Sequence, residues 1–184
     1  LRLLGPDVEA RAGCRLAVGY GAATLRWLDA NGLLPAGSTA LTIAGYLAAV
    51  LTGIPAIDET HAASWGVFDL TGGGWDRHAT HSLNLPVEVL PNIRPSAVPL
   101  SELSRDAART LGIGGRPVVC SPVGDAQASM IGAAGFARNT IVLNLGTGGQ
   151  ISIPRPDYAF TEELDAWPMP FGGYAQVGAT LCGG

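Results

Sequence analysis

The sequence predicts an α/β fold in two parts, and three observations carry that expectation. Up to about residue 115 the chain is a series of capped helical runs separated by glycine and proline breaks. After it, a short apolar strand at 117–120 leads through Gly124-Asp125-Ala126-Gln127 into a small-residue helix at 125–134. Two further strand-like runs, 140–145 and 150–153, are joined by the turn Gly146-Thr147-Gly148-Gly149, which predicts a hairpin. The boundary is expected near Gly115, giving parts 1–115 and 116–184.

The individual elements follow from local patterning. Residues 22–31 read as a helix with Leu25, Trp27 and Leu28 on an apolar face and Gly32 as its left-handed cap. Residues 42–52 form a second helix ended by Gly53. The apolar stretch 41–51 is too short to span a bilayer, which takes about 20 residues, so it is expected to be a buried helix. Asp58 opens a loop that turns helical by Ser64, and Gly72-Gly73-Gly74 is a flexible loop before a short helix opened by Trp75. Pro86, Pro91, Pro95 and Pro99 mark an irregular, extended connection, after which Ser101 caps a helix closed by Gly112.

Composition narrows the function classes. The 184 residues are 47% hydrophobic and 14% charged, which is material for a packed core. The net charge is −4 with no basic run, which argues against a nucleic-acid partner. Every basic residue is arginine, so neither a lysine Schiff base nor a Gly-Lys-Ser/Thr phosphate loop exists here. Cys14, Cys120 and Cys182 are widely spaced and form no Cys-x-x-Cys pair, which suits a reduced, cytoplasmic chain. No signal-peptide pattern or membrane span is expected. The chain starts at Leu1 without a methionine and stops at Gly183-Gly184, which reads as a piece of a longer protein.

Two strings can carry chemistry. Asp125 stands between small neighbours at a helix start, where the helix dipole favours a negative charge and the carboxylate can open onto a cleft as a proton acceptor. Alone, the string reads first as an ordinary N-cap. In the turn, the glycines let backbone N–H groups approach an anion and Thr147 adds a hydroxyl donor, yet a plain hairpin bend also favours glycine. An acid paired with such a cradle is what phosphoryl transfer to a hydroxyl needs.

In this order and spacing the motifs resemble the FGGY carbohydrate kinases, of the actin-like ATPase (ribonuclease H-like) type. The resemblance runs through Gly19-Tyr20-Gly21 to Trp27-Leu28, Leu51-Thr52-Gly53, Asp58-Glu59-Thr60-His61-Ala62-Ala63-Ser64, Phe68-Asp69, Trp75-Asp76, Leu90-Pro91 to Pro95-Ser96, Gly124-Asp125-Ala126, Gly146-Thr147-Gly148 and Gly178-Ala179-Thr180-Leu181 to Gly184. Within the family, the Gly-Asp-Ala-Gln-Ala-Ser run looks most like sedoheptulokinases.

The resemblance implies a fold spanning the junction of a first, sugar-binding domain and a second, nucleotide-binding one. It implies Asp125 as the base that takes the proton from a sugar hydroxyl, and Gly146, Thr147 and Gly148 as a loop on the transferring end of ATP with its Mg²⁺. Gly183 and Gly184 are expected to approach the nucleotide; Gln127 and, less directly, Asp58 are expected to contact the sugar. No protein-held metal site is expected: His78 and His81 lie three apart without a third ligand.

The sequence also departs from the pattern. Thr24 stands where a lysine is common, and the family's N-terminal Asp-x-Gly-Thr-Thr loop and C-terminal adenosine motif are absent. The expected activity is ATP-dependent phosphorylation of a ketose, first of all sedoheptulose, by the intact protein, with these 184 residues inactive alone. A non-catalytic sugar-binding or regulatory fragment of the same fold, and a sugar-independent ATPase fold, are the alternatives. Ser64 and Ser121 lack the Gly-x-Ser-x-Gly elbow of serine hydrolases. Trp27, Trp65 and Trp75 are expected in the core, and Glu162, Glu163 and Asp165 in a solvated loop.

Overall fold

The computed structural model describes residues 4–135, 137, 140–146 and 148–180. The chain runs α1 (Pro6–Ala12), α2 (Gly21–Ala30), α3 (Ile43–Thr52), β1 (Ala56–Asp58), α4 (Glu59–Ala63), β2 (Phe68–Asp69), β3 (Gly74–Trp75) and α5 (Arg77–Ser82). It continues through β4 (Asn92–Arg94), β5 (Pro99–Glu102), α6 (Arg105–Leu111), β6 (Val118–Cys120), α7 (Asp125–Ala134), β7 (Val142–Leu145), β8 (Gly149–Arg155), β9 (Asp165–Pro168) and β10 (Tyr174–Thr180).

Short polar side chains start the helices. Thr42, Asp58, Asp76 and Ser104 each accept a backbone N–H from the first turn of the helix that follows. Gly53 and Gly112 close α3 and α6 in the left-handed conformation that a Cβ disfavours. Helix α7 has the bounds expected from sequence, and β7 and β8 form the expected antiparallel hairpin.

Other expectations are corrected. Trp75 belongs to the β2–β3 hairpin, and Asp76 opens α5, because the Gly72-Gly73-Gly74 turn lets the chain fold back before helix can begin. Ser101 lies in β5, paired with Val119 of β6, so the helix begins only at Arg105 under a Ser104 cap. The proline-rich connection contains β4, which runs parallel to β1, and leads into β5. Helix α3 is not enclosed: Gly45 and Ala48 face inward, while Ile43 (84% exposed), Tyr46, Leu47 and Val50 face out. Mean apolarity marked the helix, but the residues packed against the core are the small ones, since a Cβ on Gly45 would lie 2.8 Å from Ile57 and 3.0 Å from the Ala56 carbonyl oxygen. Trp27 is exposed for a related reason: Ala22 and Leu25 occupy the buried side of α2.

The main core gathers Val8, Leu25, Ile57, Trp65, Val67 and Phe68. Trp65 and Trp75 meet at a 42° tilt with 5.1 Å between ring centroids, and the Trp75 indole N–H donates to the Pro91 carbonyl at 3.0 Å. The last strands form a sheet in the order β7-β8-β10-β9 that folds back onto the start of the chain. Ala166 N–H donates to the Gly13 carbonyl at 2.7 Å, Tyr174 hydroxyl to that of Leu70 at 3.2 Å, and Tyr158 hydroxyl to that of Ala10. Asp165 therefore sits half-buried in β9 and not in a solvated loop, whereas Glu162 and Glu163 are exposed. A second, smaller cluster of Met130, Ala175 and Val177 joins α7 to this sheet.

Gly21 tests the packing around Trp65. A Cβ there would lie 2.7 Å from Trp65 Cγ, so Gly21→Ala is expected to lower stability by roughly 1–3 kcal/mol. An open helical glycine would instead gain up to about 1 kcal/mol from the same change. Thermal unfolding reads the sign, and a raised midpoint would contradict the packing described.

Candidate active site

The site begins with a buried carboxylate. Asp58 ends β1 and caps α4, and its residue surface is 0% exposed. Oδ2 accepts from Thr60 N–H at 3.1 Å, Thr60 Oγ1 at 2.6 Å and Ser96 Oγ at 2.5 Å. Oδ1 accepts from His61 N–H at 3.1 Å and lies 2.5 Å from His61 Nδ1. A buried charge is tolerable only with its acceptor sites filled in this way. The expected direct sugar contact from Asp58 is thereby corrected: its oxygens are engaged behind the wall, and Thr60 and His61 are what it presents.

Thr60 carries the arrangement to the next element. Its hydroxyl gives its proton to Asp58 and accepts the Gly124 N–H at 2.7 Å. Gly124 is the N-cap of α7, so this bond pins the helix start on which Asp125 stands. The position is crowded: an added Cβ would lie 2.5 Å from Gln127 Oε1 and 3.1 Å from Thr60 Oγ1, so a side chain there would displace the Gln127 amide. Asp125 is the first helical residue and is exposed, and one of its oxygens accepts the Ala126 N–H at 2.8 Å. Gln127 is buried and donates from Nε2 to the Pro168 carbonyl at 3.4 Å.

Asp125 and Gln127 line one cavity of about 270 Å³, with Thr60, His61, Tyr20 and Trp167 around them. Four separate stretches thus meet: the end of α1 and the start of α2, α4, the start of α7, and β9. Cys14 also borders the cavity; burial and then the nearby Asp165 push its thiol up to about 12, so it is a neutral, unreactive group. Burial likewise raises Tyr20. The cavity wall is therefore mostly neutral, with Asp125 as its exposed carboxylate.

The hairpin expectation is met in shape and not in placement within this cavity. Gly146 and Gly148 close the β7–β8 turn through a Gly146 N–H to Gly148 carbonyl bond of 3.0 Å. Both glycines are exposed and neither lines the Asp125 cavity, although β7 packs beside α7. Thr147, Gly183 and Gly184 lie outside the described residues. Ser64 and Ser121 hydroxyls donate to the carbonyls of His61 and Pro95, which leaves neither as a nucleophile. Among the described residues no group of three His, Cys, Asp or Glu is placed to hold a metal ion, and no helix is long and apolar enough to cross a membrane.

Thr60, Tyr20 and Trp167 are wall residues that sequence reasoning did not assign. Thr60 stood inside the Asp-x-Thr string and Tyr20 inside the α2 motif, so position in the motif was the available signal. Trp167 had none, because it reaches the cavity through the pairing of β9 with β10 and the packing of β9 on distant segments.

The fold has known counterparts. The chain superposes on xylulose kinase from Rhodospirillum rubrum with a TM-score of 0.87 at 23% identity, covering 94% of this chain and 36% of that one. The fold is thus part of the actin-like ATPase type. Residues 3–132 match the FGGY family of carbohydrate kinases, N-terminal domain, and the chain belongs to that family. It is 32% identical over 145 residues to sedoheptulokinase of Mus musculus, covering 77% of this chain and 30% of that protein. It is 29% identical over 151 residues to glycerol kinase of Paracidovorax citrulli, covering 78% of this chain and 29% of that protein. The chain therefore spans about 30% of the length of these curated relatives.

Two outcomes follow from the Asp58 network. Thr60→Val removes the hydroxyl while keeping the shape, and is expected to cost about 1–3 kcal/mol by leaving Gly124 N–H without its partner; Thr60→Ser should recover most of it. Equal denaturation midpoints for wild type and Thr60→Val would contradict the tether.

The second outcome concerns pH. Burial opposes ionisation of Asp58, but hydrogen bonds from His61, Ser96 and Thr60 outweigh it and hold the carboxyl below its usual range. Its contribution is present above the ordinary aspartate pKa of about 3.9 and is lost as pH falls through the lower folded value. Glu59 and Asp165, raised by burial, act in the opposite direction, so the diagnostic is a difference. Wild type should exceed Asp58→Asn in stability at pH 6 by a margin that shrinks toward pH 3. A constant margin in denaturation curves would contradict it.

Proposed function

We propose that the intact protein of which this chain forms part is a carbohydrate kinase that moves the γ-phosphoryl group of ATP onto a hydroxyl of a ketose, with sedoheptulose as the first substrate to try. The observation that carries the reading is Asp125: an exposed carboxylate on a helix start that is tethered through Gly124 and Thr60 to a buried, fully engaged Asp58, in one cavity with Gln127. Asp125 accepts the proton of the attacking hydroxyl, and Gln127 orients the sugar. Family membership, and the sedoheptulokinase and glycerol kinase relatives, support the chemistry; the choice of sugar rests on the 32% identity alone.

Nucleotide contacts are assigned to Gly146, Thr147 and Gly148, and to Gly183 and Gly184. At the exposed bend, the nearest described atom beyond the chain neighbours to a Cβ built on Gly146 is the Gly148 carbonyl oxygen at 3.9 Å, which leaves room for a phosphate to approach. Magnesium is expected to arrive with ATP, held chiefly by its phosphates, and to neutralise charge on the transferring group. We place the division between the sugar-binding and nucleotide-binding parts near Gly115, and the protein in the cytoplasm. The alternative is a sugar-binding or regulatory fragment of the same fold without turnover.

Asp125→Asn in the full-length protein should lower kcat by about 10²-fold or more for the preferred ketose while leaving its KM near wild type. Unchanged kcat would remove Asp125 as the base. Residues 1–184 alone are expected to show no sugar-dependent release of ADP in a coupled assay; substantial turnover by the isolated chain would contradict the proposed division of labour.

A further inference from the structure

Trp167 is the one large aromatic that the C-terminal sheet contributes to the Asp125 cavity, and nothing in the proposed chemistry uses it. Its position is held from several directions. On its N-terminal side, Ala166 N–H donates to the Gly13 carbonyl at 2.7 Å. On its C-terminal side, the Pro168 carbonyl accepts Gln127 Nε2 at 3.4 Å. Across the sheet it faces Ala175, which is fully buried and too small to displace the indole. The ring also packs against the Met130, Ala175 and Val177 cluster.

A ring so held has little rotamer freedom to lose. It borders the cavity together with polar groups on α4 and α7. Carbohydrate pockets need both kinds of wall, because a sugar carries C–H faces as well as hydroxyls. We propose that Trp167 is a substrate-binding residue: its ring covers the C–H face of the sugar carbon chain while Gln127 and Asp125 take the hydroxyls. The inference rests on the kinase reading above and extends it to a specificity determinant. A longer carbon chain covers more of the ring, so Trp167 favours a ketose over three-carbon glycerol.

Such contact is made equally in ground and transition states, so it shows in KM and leaves kcat alone. In the full-length protein, Trp167→Ala should raise KM for sedoheptulose about tenfold and that for glycerol less, with kcat retained. Trp167→Phe, which keeps an aromatic face and should fold, should stay nearer to wild type. A readout without ATP separates this role from a structural one. Saturating sedoheptulose should change the tryptophan emission of the wild type, and Trp167→Phe should lose that change while still binding the sugar by calorimetry. Trp167→Phe with the full emission change, or Trp167→Ala with unchanged KM, would overturn the proposal and leave the kinase reading standing. A wild type that neither binds nor phosphorylates any sugar would overturn both.

Discussion

The site depends on one buried charge. Asp58 is enclosed at the end of a strand, and its cost in desolvation is met by donors from Thr60, His61 and Ser96. These donors come from two segments, α4 and the loop after β4, so ionised Asp58 holds them together. Thr60 then passes the constraint on through Gly124 to α7. The consequence is positional. Asp125 is free to meet solvent and substrate because the residue before it is not free to move.

The cavity is completed by a second constraint, the return of the last sheet to the start of the chain. Strand β9 is bonded at Ala166 to Gly13 and at Pro168 to Gln127. Gly13, at φ +69°, permits the close approach of Ala166 that a side chain would block. Residues more than a hundred positions apart, such as Tyr20 and Trp167, thus share one wall. This explains why residues that flank Asp125 in sequence supply only part of the site.

Much of the architecture was legible wherever a local rule decides it. The bounds of α7 follow from Gly124 and the run of small residues, and the β7–β8 hairpin from its glycine turn. Asp125 and Gln127, read as a pair, do meet in one cavity. Local rules failed where tertiary packing chose between equivalents. Ser101 and Ser104 are both good caps, and pairing of Ser101 with Val119 decided for Ser104. Helix α3 looked buried from its apolarity, yet Gly45 and Ala48 make the contact and four larger residues face out. Asp58 was recognised as a special residue, but whether its carboxylate faced the cleft or the interior depended on Ser96, thirty-eight positions away. Trp167 depended on strand pairing that no motif announces.

The central claim is that the Asp58–Thr60–Gly124 chain aims Asp125 at a sugar hydroxyl. A structure of the full-length protein with sedoheptulose and a non-hydrolysable ATP analogue measures this most directly. The account requires an Asp125 carboxylate oxygen within about 3 Å of the acceptor hydroxyl, with the Thr60–Gly124 bond intact. Sugar bound in a different cavity, or an acceptor hydroxyl out of hydrogen-bond reach of Asp125 with both ligands in place, would contradict it.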